Sequence, residues 1–550
     1  MYSMLLAQIK RKLNKYAESE KILKNLLFQN PENNLAALEL AFVEFELKNY
    51  DQFSEYYFNG LPNLRDGQFL MQLMRDIYDL LNTKEIEILK SGELDGNFYL
   101  NFWRNKDPNP VTKVNERLVL HYQRLAYARE IYKEDGFTGY DDRGKIYVRY
   151  GEPDQRFTSA RIEMNISDNE SWVYNILGKT ITFDFVQNGA TYRLVDDLSE
   201  AIGSGVRNNQ LGILQRLYEE RSHLDGSYLK IANELNQVVV TRQSDRQLAN
   251  ISSVIEKEKV KRIQILNDIP QSTFDYELPG SDLPFDFNYA YFYDNNRYRI
   301  ELYFAINRNI FESQNLKPGK LPAVKQSIVL QNSDYEILVN GSNIIDLNKN
   351  KSDQDVFIFQ SNIFADQNNL QCSVQLECEK TNQVRLINLP IKLQPYNING
   401  LNVSSIQLAE KIHPALKDDN RMFIKNDIFI FPYPFAAVSK SKPIYFYFEI
   451  YNLRIQPENI GEYQIELQIF RDKDSMNFTD LIKALNPFSS PSNQSVSTTF
   501  SKNCIASFVS EYFAVDLSAL QNGRYRLLFK ITDKNTADSI NRRINLNITQ

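Results

Sequence analysis

The chain has 550 residues, of which 43% are hydrophobic and 24% are charged, and its net charge is −6 at pH 7. At roughly 100–200 residues per domain, this length exceeds a single hydrophobic core, so we expect several domains. The composition excludes a disordered or fibrous protein, and the interspersed basic and acidic residues give no sign of a nucleic-acid-binding surface.

Cysteine content and hydropathy further limit the structural class of the protein. The chain has three cysteines, Cys372, Cys378 and Cys504, an odd number that does not fit a disulfide framework. Cys372 and Cys378 share one face of a predicted strand, too far apart for a disulfide, and we interpret them as small buried side chains. No stretch reaches the ~18 apolar residues of a transmembrane helix, and the first residues do not have the pattern of a signal peptide.

Residues 1–92 are predicted to form helical repeats, and residues 1–62 carry an internal repeat. Leu13-Asn14-Lys15-Tyr16 recurs as Leu47-Lys48-Asn49-Tyr50, 34 residues later, and helical segments flank both copies. Paired helices with this period resemble about two tetratricopeptide repeats. A generic stack of α-hairpins stays open as the alternative. Either arrangement predicts a surface for packing or for partners.

Residues 93–200 have a mixed pattern that predicts a small α+β domain. An amphipathic helix is expected over Val114–Tyr132, with His121 as a packed or solvated side chain because no second histidine or cysteine lies near it in the sequence. Gly139-Tyr140 has turn composition, and Lys145–Tyr150 is β-branched and aromatic, which predicts a strand. Three more strands of an antiparallel sheet are expected at Ser171–Ile176, Thr180–Val186 and Thr191–Val195, with Asn188-Gly189 as a hairpin turn.

Within this domain, the segments FWRNKDP, RLAYARE, DRGKIYVRYGEPD and ESWVY resemble the GWxTD domain family. The residues that carry the resemblance are Gly139, Tyr140, Asp142, Arg143, Gly144, Tyr150, Gly151, Pro153, Asp154, Glu170, Trp172 and Tyr174. Tyr140 stands where the family has its tryptophan, and the threonine of the naming motif is absent. The resemblance is specific over about 100–195. It implies a bacterial, periplasmic or other extracytoplasmic protein with no established activity.

The densest group of charged residues is the candidate binding site, formed by Asp141, Asp142, Arg143, Glu152 and Asp154. Carboxylates on adjacent loops could bind Ca²⁺, and a carboxylate pair could act as general acid and base on a glycan. The arginine could instead hold an acidic group of a partner. The favoured interpretation is structural, because aspartate and glutamate commonly cap turns and pair with arginine.

The remainder of the chain changes from helix to strand. Residues 201–263 predict a helical connector, 264–395 a β-sandwich, and 396–550 a second, immunoglobulin-like sandwich. Asn340-Gly341 is a predicted hairpin turn, and the polar stretch Ser489–Thr499 is a predicted loop. Trp103 and Trp172, together with the aromatic strand Ile444–Tyr451, are expected in hydrophobic cores.

No motif of a nucleotide-binding loop, zinc protease or serine hydrolase occurs, and the histidines fall in different predicted domains. The sequence therefore favours a multidomain α+β protein with N-terminal α-hairpin repeats, a small signature domain and two C-terminal antiparallel β-sandwiches. A non-enzymatic structural or interaction role with protein partners is expected, and no cofactor is indicated. The alternative is a hydrolase of polysaccharide or peptide that uses acidic residues near Asp142 and Glu152.

Overall fold

A computed structural model of the chain describes residues 2–90, 95–159, 166–203, 210–241, 245–294, 297–312, 321–349, 355–456, 460–471 and 496–549. The chain forms two compact units, Met1–Glu277 and Leu278–Gln550. The first unit combines helices with a four-stranded sheet, and the second is built from antiparallel sheets. This division confirms the predicted multidomain α+β class.

Two helical hairpins open the first unit. They consist of α1 (Tyr2–Lys12), α2 (Tyr16–Gln29), α3 (Asn34–Glu46) and α4 (Tyr50–Gly60). Each helix packs against the next one along the chain, and α1 also contacts α3. This arrangement is that of stacked α-hairpin repeats.

The two hairpin turns have the same backbone geometry. Asn14 and Lys48, 34 positions apart, are both left-handed, with φ of 57° and 62°. In both turns the next amide, of Lys15 or Asn49, donates to the carbonyl oxygen five residues earlier at 2.9 Å. This hydrogen bond closes the C-terminus of a helix in a Schellman motif. The repeated sequence therefore encodes a repeated turn.

The helical layer continues with α5 (Gly67–Ile77), α6 (Thr83–Lys90), α7 (Gly96–Asn105) and α8 (Glu116–Ile131). The predicted amphipathic helix corresponds to α8. His121 on this helix is fully buried, with Nε2 at 2.9 Å from the main-chain oxygen of Asp76. Its interpretation as a packed side chain is confirmed.

A four-stranded antiparallel sheet follows a short helix, α9 (Asp142–Tyr150). Its strands β1 (Gln155–Thr158), β2 (Asn169–Ile176), β3 (Lys179–Asn188) and β4 (Thr191–Val195) pair in sequence order. The sheet and the β3–β4 hairpin agree with the prediction. Lys145–Tyr150, predicted as a strand, is instead the body of α9.

The helical repeats and the signature domain share one hydrophobic core. Trp103 and Trp172 are both fully buried in it, as predicted, together with side chains of α3 to α8 and of β2 and β3. The Trp103 indole donates to the hydroxyl of Tyr57 on α4 at 3.2 Å. The predicted boundary at residue 92 therefore does not separate two cores.

The predicted helical connector forms α10 (Gln210–Glu220), α11 (Gly226–Thr241) and α12 (Asp245–Asp268). Buried side chains of α10 and α11, such as Leu217, pack against Val186 and its neighbours in the sheet. The segment is thus a third layer that covers the sheet, and it extends past residue 264, where the first sandwich was predicted to begin.

After α12, residues 269–277 run back over the helices of the same unit. The Thr273 amide donates to the Arg149 carbonyl at 2.9 Å, and the Tyr276 hydroxyl donates to Glu116 at 3.3 Å. The Gln271 side chain donates to the carbonyl of Leu81. We call residues 269–277 the return segment.

The second unit begins with the first predicted sandwich. Its elements are β5 (Ser281–Asp282), β6 (Asp286–Asp294), β7 (Arg297–Asn307), α13 (Asn309–Glu312), β8 (Ala323–Gln331), β9 (Ile337–Asp346), β10 (Val356–Ala365), β11 (Asn369–Cys378) and β12 (Gln383–Lys392). The sheet β10-β7-β6 faces the sheet β5-β12-β11-β8-β9 across a hydrophobic core. Cys372 and Cys378 are buried there as predicted, and burial raises the pKa of Cys372 to about 12.

The second sandwich consists of β13 (Asn402–Val403), β14 (Gln407–Pro414), β15 (Ile424–Lys425), β16 (Ile428–Pro432), β17 (Ala437–Ser439), β18 (Ile444–Tyr451), β19 (Gly461–Arg471), β20 (Val496–Cys504), β21 (Val509–Val515), β22 (Gly523–Asp533) and β23 (Ser539–Thr549). The sheet β13-β18-β14-β16-β15, with β21 beside β18, faces the sheet β17-β23-β22-β19-β20. Phe446, Phe448 and Phe529 lie in the core between them.

One turn prediction in this unit was wrong, and one loop prediction overlaps a strand at its end. Asn340-Gly341 lies inside β9, opposite Val329 and Ile328 of β8, and the connection between these strands is at residues 332–336. Tyr335 there has a φ of 59°. The predicted loop Ser489–Thr499 ends in β20, which begins at Val496, and its residues 489–495 lie outside the described residues.

The two sandwiches pack on each other through the outer faces of two sheets. Phe292 and Tyr303 of the first sandwich contact Ala409 and Tyr447 of the second in a separate buried cluster. We call this contact the sandwich interface. Because of it, the strands β7 and β18 are buried on both faces.

Candidate functional site

Helix α9 carries the predicted charged site, and its ends explain its conformation. The side chain of Asp141 caps the N-terminus, accepting the amides of Arg143 at 2.9 Å and Gly144 at 3.3 Å. Gly151 ends the helix with a φ of 80°. An aspartate N-cap and a terminal left-handed glycine favour a helix.

The strand prediction rested on the β-branched and aromatic composition of Lys145–Tyr150, and it failed because these side chains are buried on a helix. Gly144, Ile146, Val148 and Tyr150 are all buried, as on one face of a strand. The helix contacts α8 on one side and β4 on another, so more than one of its faces is covered. A short helix that is covered on more than one side can show the alternating burial that is typical of a strand.

Asp141 has its hydrogen-bonding capacity occupied by protein groups. Besides the two cap amides, its carboxylate accepts the Tyr192 amide of β4 at 2.9 Å and the Arg143 guanidinium at 2.8 Å. The side chain is 3% exposed. This carboxylate ties the start of α9 to the edge of the sheet.

Arg143 extends this contact to the motif on β2. Its Nη1 donates to Glu170 at 2.9 Å, and its guanidinium lies 3.7 Å from the ring centroid of Tyr192. Glu170 in turn accepts the Trp172 indole at 3.0 Å. The chain of contacts from Asp141 to Trp172 fixes α9 on the sheet by charge-assisted hydrogen bonds.

The other acidic candidates lie apart from this chain of contacts. Asp142 accepts the Leu194 amide of β4 at 2.8 Å, and Asp154 accepts the Asn175 amide of β2. Glu152 is 63% exposed, with Arg156 at 3.4 Å. Asp142 and Asp154 therefore anchor two separate strands, and Glu152 lies at the surface.

Several residues of the family resemblance have structural roles. The Tyr174 hydroxyl donates to the Gly151 carbonyl at 2.8 Å. A Cβ on Gly144 would lie 2.6 Å from the Cβ of Tyr140, so only glycine fits against that ring. The Tyr140 hydroxyl donates to Asp79 at 2.8 Å, and burial, with the adjacent carboxylate, raises its pKa.

An open depression of about 520 Å³ lies beside the N-terminus of α9. Its described lining includes Asp79, Asp141, Asp142 and Lys145, with the exposed ring of Phe137. Glu152 and Asp154 are not among these lining residues. The predicted pair of Asp142 and Glu152 is therefore not brought together in this depression.

A second group of carboxyls, not anticipated from the sequence, lies under the return segment. Burial raises the pKa of Asp107 to about 7, and the nearby Glu116 contributes. Burial also raises the pKa of Glu116, whose Oε1 accepts the hydroxyls of Thr112 at 3.0 Å and Tyr276 at 3.3 Å. The sequence feature that could have indicated this group is Asp107, a charged residue inside an aromatic and proline-rich segment.

A third charged cluster lies at the sandwich interface. Glu301 and Glu449 are each 2% exposed, and Lys425 approaches Glu301 at 2.6 Å. Arg299 lies between the two glutamates, at 3.1 and 3.3 Å. Burial lowers the pKa of Lys425, although Glu301 opposes the shift. The sequence signal was one glutamate inside each of two aromatic strands.

Metal sites and membrane spans were also considered across the described ranges. Within them, no group of three or more histidine, cysteine or carboxylate side chains is placed to hold a metal ion. No described helix is both long and apolar enough to cross a membrane.

Comparison with known proteins gives no assignment. A scan against protein-family models and a search of curated proteins both found no match to this chain. The resemblance to the GWxTD family therefore rests on the motif residues alone.

Proposed function

We propose that this protein is a non-enzymatic interaction component that binds a protein partner through its helical repeats. The observation that carries the proposal is an exposed apolar row on α1 and the turn after it. Tyr2, Leu5, Ile9 and Leu13 are 80%, 56%, 45% and 61% exposed, and they recur every three or four residues on one helical face. An amphipathic row of this spacing is a common means of docking between helices.

The row is unusual because its residues are large and neighbouring. Single exposed apolar side chains are ordinary, whereas contiguous ones mark interaction surfaces. The other face of the same helix is committed to the fold, since Ala7 is fully buried and Arg11 pairs with Glu39 of α3. The helix is thus held by the repeat while its apolar row stays accessible.

The contacts of the acidic residues at α9 and the turn after it also favour a non-enzymatic role. Asp141, Asp142 and Asp154 each accept main-chain amides. A general acid or base needs a carboxyl that can reach a substrate proton. The alternative hydrolase using Asp142 and Glu152 gains no support from this arrangement.

The setting of this role follows from the family resemblance. We infer a bacterial, extracytoplasmic protein in which the second sandwich is immunoglobulin-like and both sandwiches offer further surfaces for partners. The helical repeats and the signature domain would then act as one body, because they share a hydrophobic core.

The test compares full-length proteins, since a truncation at residue 92 would cut the shared core. Leu5→Glu/Ile9→Glu places two charges on the apolar row, and Lys21→Glu makes the same change of net charge at an exposed position of α2. We expect cross-linking in the producing bacterium to recover a defined partner with wild type and Lys21→Glu, and about tenfold less with the double variant. Equal recovery with all three proteins, or no partner with wild type, would refute the proposal.

A further inference from the structure

A pocket with a volume of about 830 Å³ opens in the C-terminal unit, between β6 of the first sandwich and β14 and β23 of the second. Small-molecule sites commonly have volumes of ~300–1,000 Å³. The pocket is also distinct from the cavity of about 320 Å³ beside Lys425 and Glu301. Its size therefore suits a ligand of several rings.

The wall of this pocket includes a buried amide without a partner. Gln407 is 1% exposed, and neither its Oε1 nor its Nε2 forms a hydrogen bond with a described protein atom. An unpaired buried polar group costs about 1–3 kcal/mol. A ligand that offers both a donor and an acceptor would offset this cost.

Several other polar side chains of the pocket are also uncharged amides or hydroxyls. Asn288, Asn541 and Asn545 contribute further amide side chains, and Ser405 contributes a hydroxyl. None of the described lining residues is an aspartate, glutamate, histidine, lysine or cysteine. Amides and hydroxyls both donate and accept, so this lining matches a ligand rich in hydroxyl groups.

Aromatic side chains supply the apolar part of the wall. Phe287, Tyr289 and Phe435 are each half-buried and line the same pocket. A site with aromatic walls and a few polar groups holds a ligand by its flat faces and orients it by its polar edges. Sugar rings have both features, because their C–H faces are apolar and their edges carry hydroxyls.

Two arginines give the pocket a positive charge. Arg542 donates through Nε to the carbonyls of Val403 and Ser404, both at 3.0 Å, and through Nη1 to that of Asn541 at 3.2 Å. These acceptors are neutral, and Arg543 beside it is exposed. With no carboxylate in the described lining, the local potential favours an anionic group.

We propose that this pocket binds an oligosaccharide, with preference for one that carries carboxylates. The sugar hydroxyls pair with Gln407 and the asparagine amides, and the sugar faces lie against Phe287, Tyr289 and Phe435. The carboxylates lie toward the arginines of β23. The inference does not depend on the apolar row of α1, which belongs to the other unit.

The experiment titrates the full chain by isothermal calorimetry with two probes, short oligomers of galacturonic acid and short β-1,4-linked oligomers of glucose. Saturable binding is expected, tighter for the acidic oligomer. Gln407→Met should weaken the binding of both probes by about tenfold or more, without lowering the melting temperature, because it removes an unpaired polar group. Arg543→Gln should weaken only the acidic oligomer.

A matched control is Gln383→Met. Gln383 is also buried, at 7% exposed, with an unpartnered Oε1, but it does not line the pocket. Binding should be unchanged in this variant. The proposal is overturned if wild type binds neither oligomer at millimolar concentration, or if Gln407→Met binds as wild type does. Equal binding of the two probes, insensitive to Arg543→Gln, would overturn the preference for acidic sugars.

Discussion

Asp141 at the start of α9 and the glutamates of the sandwich interface are all buried, but their partners differ. Asp141 accepts main-chain amides of α9 and β4 in addition to Arg143. Glu301 is matched by the side chains of Lys425 and Arg299. The amide partners of Asp141 are fixed by the backbone, whereas Lys425 reaches Glu301 from the other sandwich. The first arrangement therefore locks local elements, and the second couples separate layers.

This comparison predicts that removing these contacts lowers the free energy of unfolding by unequal amounts. A charged partner lost from a buried ion cluster leaves an unpaired charge, at a cost of about 3–5 kcal/mol. A lost N-cap costs about 0.5–2 kcal/mol, to which an unpaired arginine adds. An exposed pair contributes about 0–1 kcal/mol. The four experiments below test this order, from the largest expected effect to the smallest.

Lys425→Met should give the largest loss. The methionine keeps the contact with the Phe292 ring, whose centroid lies 3.9 Å from the Lys425 nitrogen, but it removes one of the two cations that balance Glu301 and Glu449 and leaves Arg299 as the other. We expect the C-terminal unit to lose about 3–5 kcal/mol in free energy of unfolding, measured by scanning calorimetry of the full chain. Lys411→Met, at an exposed position of β14, is the control, and an equal effect of both changes would contradict the assignment.

Asp141→Ala should destabilise the first unit by about 2–3 kcal/mol, because it removes the N-cap of α9 and leaves Arg143 with Glu170 alone. Both tryptophans, Trp103 and Trp172, lie in this unit, so tryptophan fluorescence during urea unfolding reports on it. Asp141→Asn keeps a cap acceptor and should fall between wild type and the alanine variant. A loss below about 0.5 kcal/mol would show that the cap is dispensable.

The third experiment concerns Asp107, a buried carboxyl with a second carboxyl, that of Glu116, nearby. Its folded pKa of about 7 lies above the ordinary value of 3.8, so its protonated form favours the folded state. The stabilisation is full below about pH 4 and is lost as the pH rises through about 7. Asp107→Asn should remove this dependence, giving a stability difference from wild type that changes by about 3 kcal/mol between these pH values. Parallel pH profiles of the two proteins would refute it.

Glu152→Gln should have the smallest effect. The side chain is 63% exposed, and its pair with Arg156 spans 3.4 Å. We expect a change within about 0.5 kcal/mol in the same fluorescence assay. A loss comparable with that of Asp141→Ala would show that Glu152 has a role that its contacts do not reveal.

The two hairpin repeats and most strands could be predicted because their signals are local. The turns at Asn14 and Lys48 recur with the sequence, and β2, β3 and β4 match their predicted positions closely. The start of the first sandwich was predicted too early, at residue 264, since α12 continues to Asp268. Helix ends are set by caps and packing, which a hydrophobic period does not contain.

The candidate site was predicted less well than the fold. The sequence singled out Asp141, Asp142 and Arg143 by their density, and its favoured structural interpretation agrees with their main-chain contacts. It also predicted a strand in place of α9, because Lys145–Tyr150 is rich in β-branched and aromatic residues. Gln407 carried no signal, since a single glutamine at the start of a strand is unremarkable until its neighbours from β6 and β23 are known.

The sequence by itself determined the class of each region, the repeat of 34 residues, the buried tryptophans and cysteines, and one face of each strand. These features depend on local propensity and on the period of apolar residues. Only the tertiary structure decided whether the second face of each strand is buried or exposed to solvent. Along β7, Glu301 and Tyr303 occupy the face that alternation would leave to solvent, yet both are 2% exposed.

The physical reason is that burial of the second face depends on a partner sheet far away in the sequence. Glu301 is stable there because Lys425, 124 positions later, supplies the opposite charge. Likewise, α9 is a helix wedged between α8 and β4, a contact that no local pattern contains. Long-range contacts of this kind decide which charged residues become anchors and which remain accessible to a ligand.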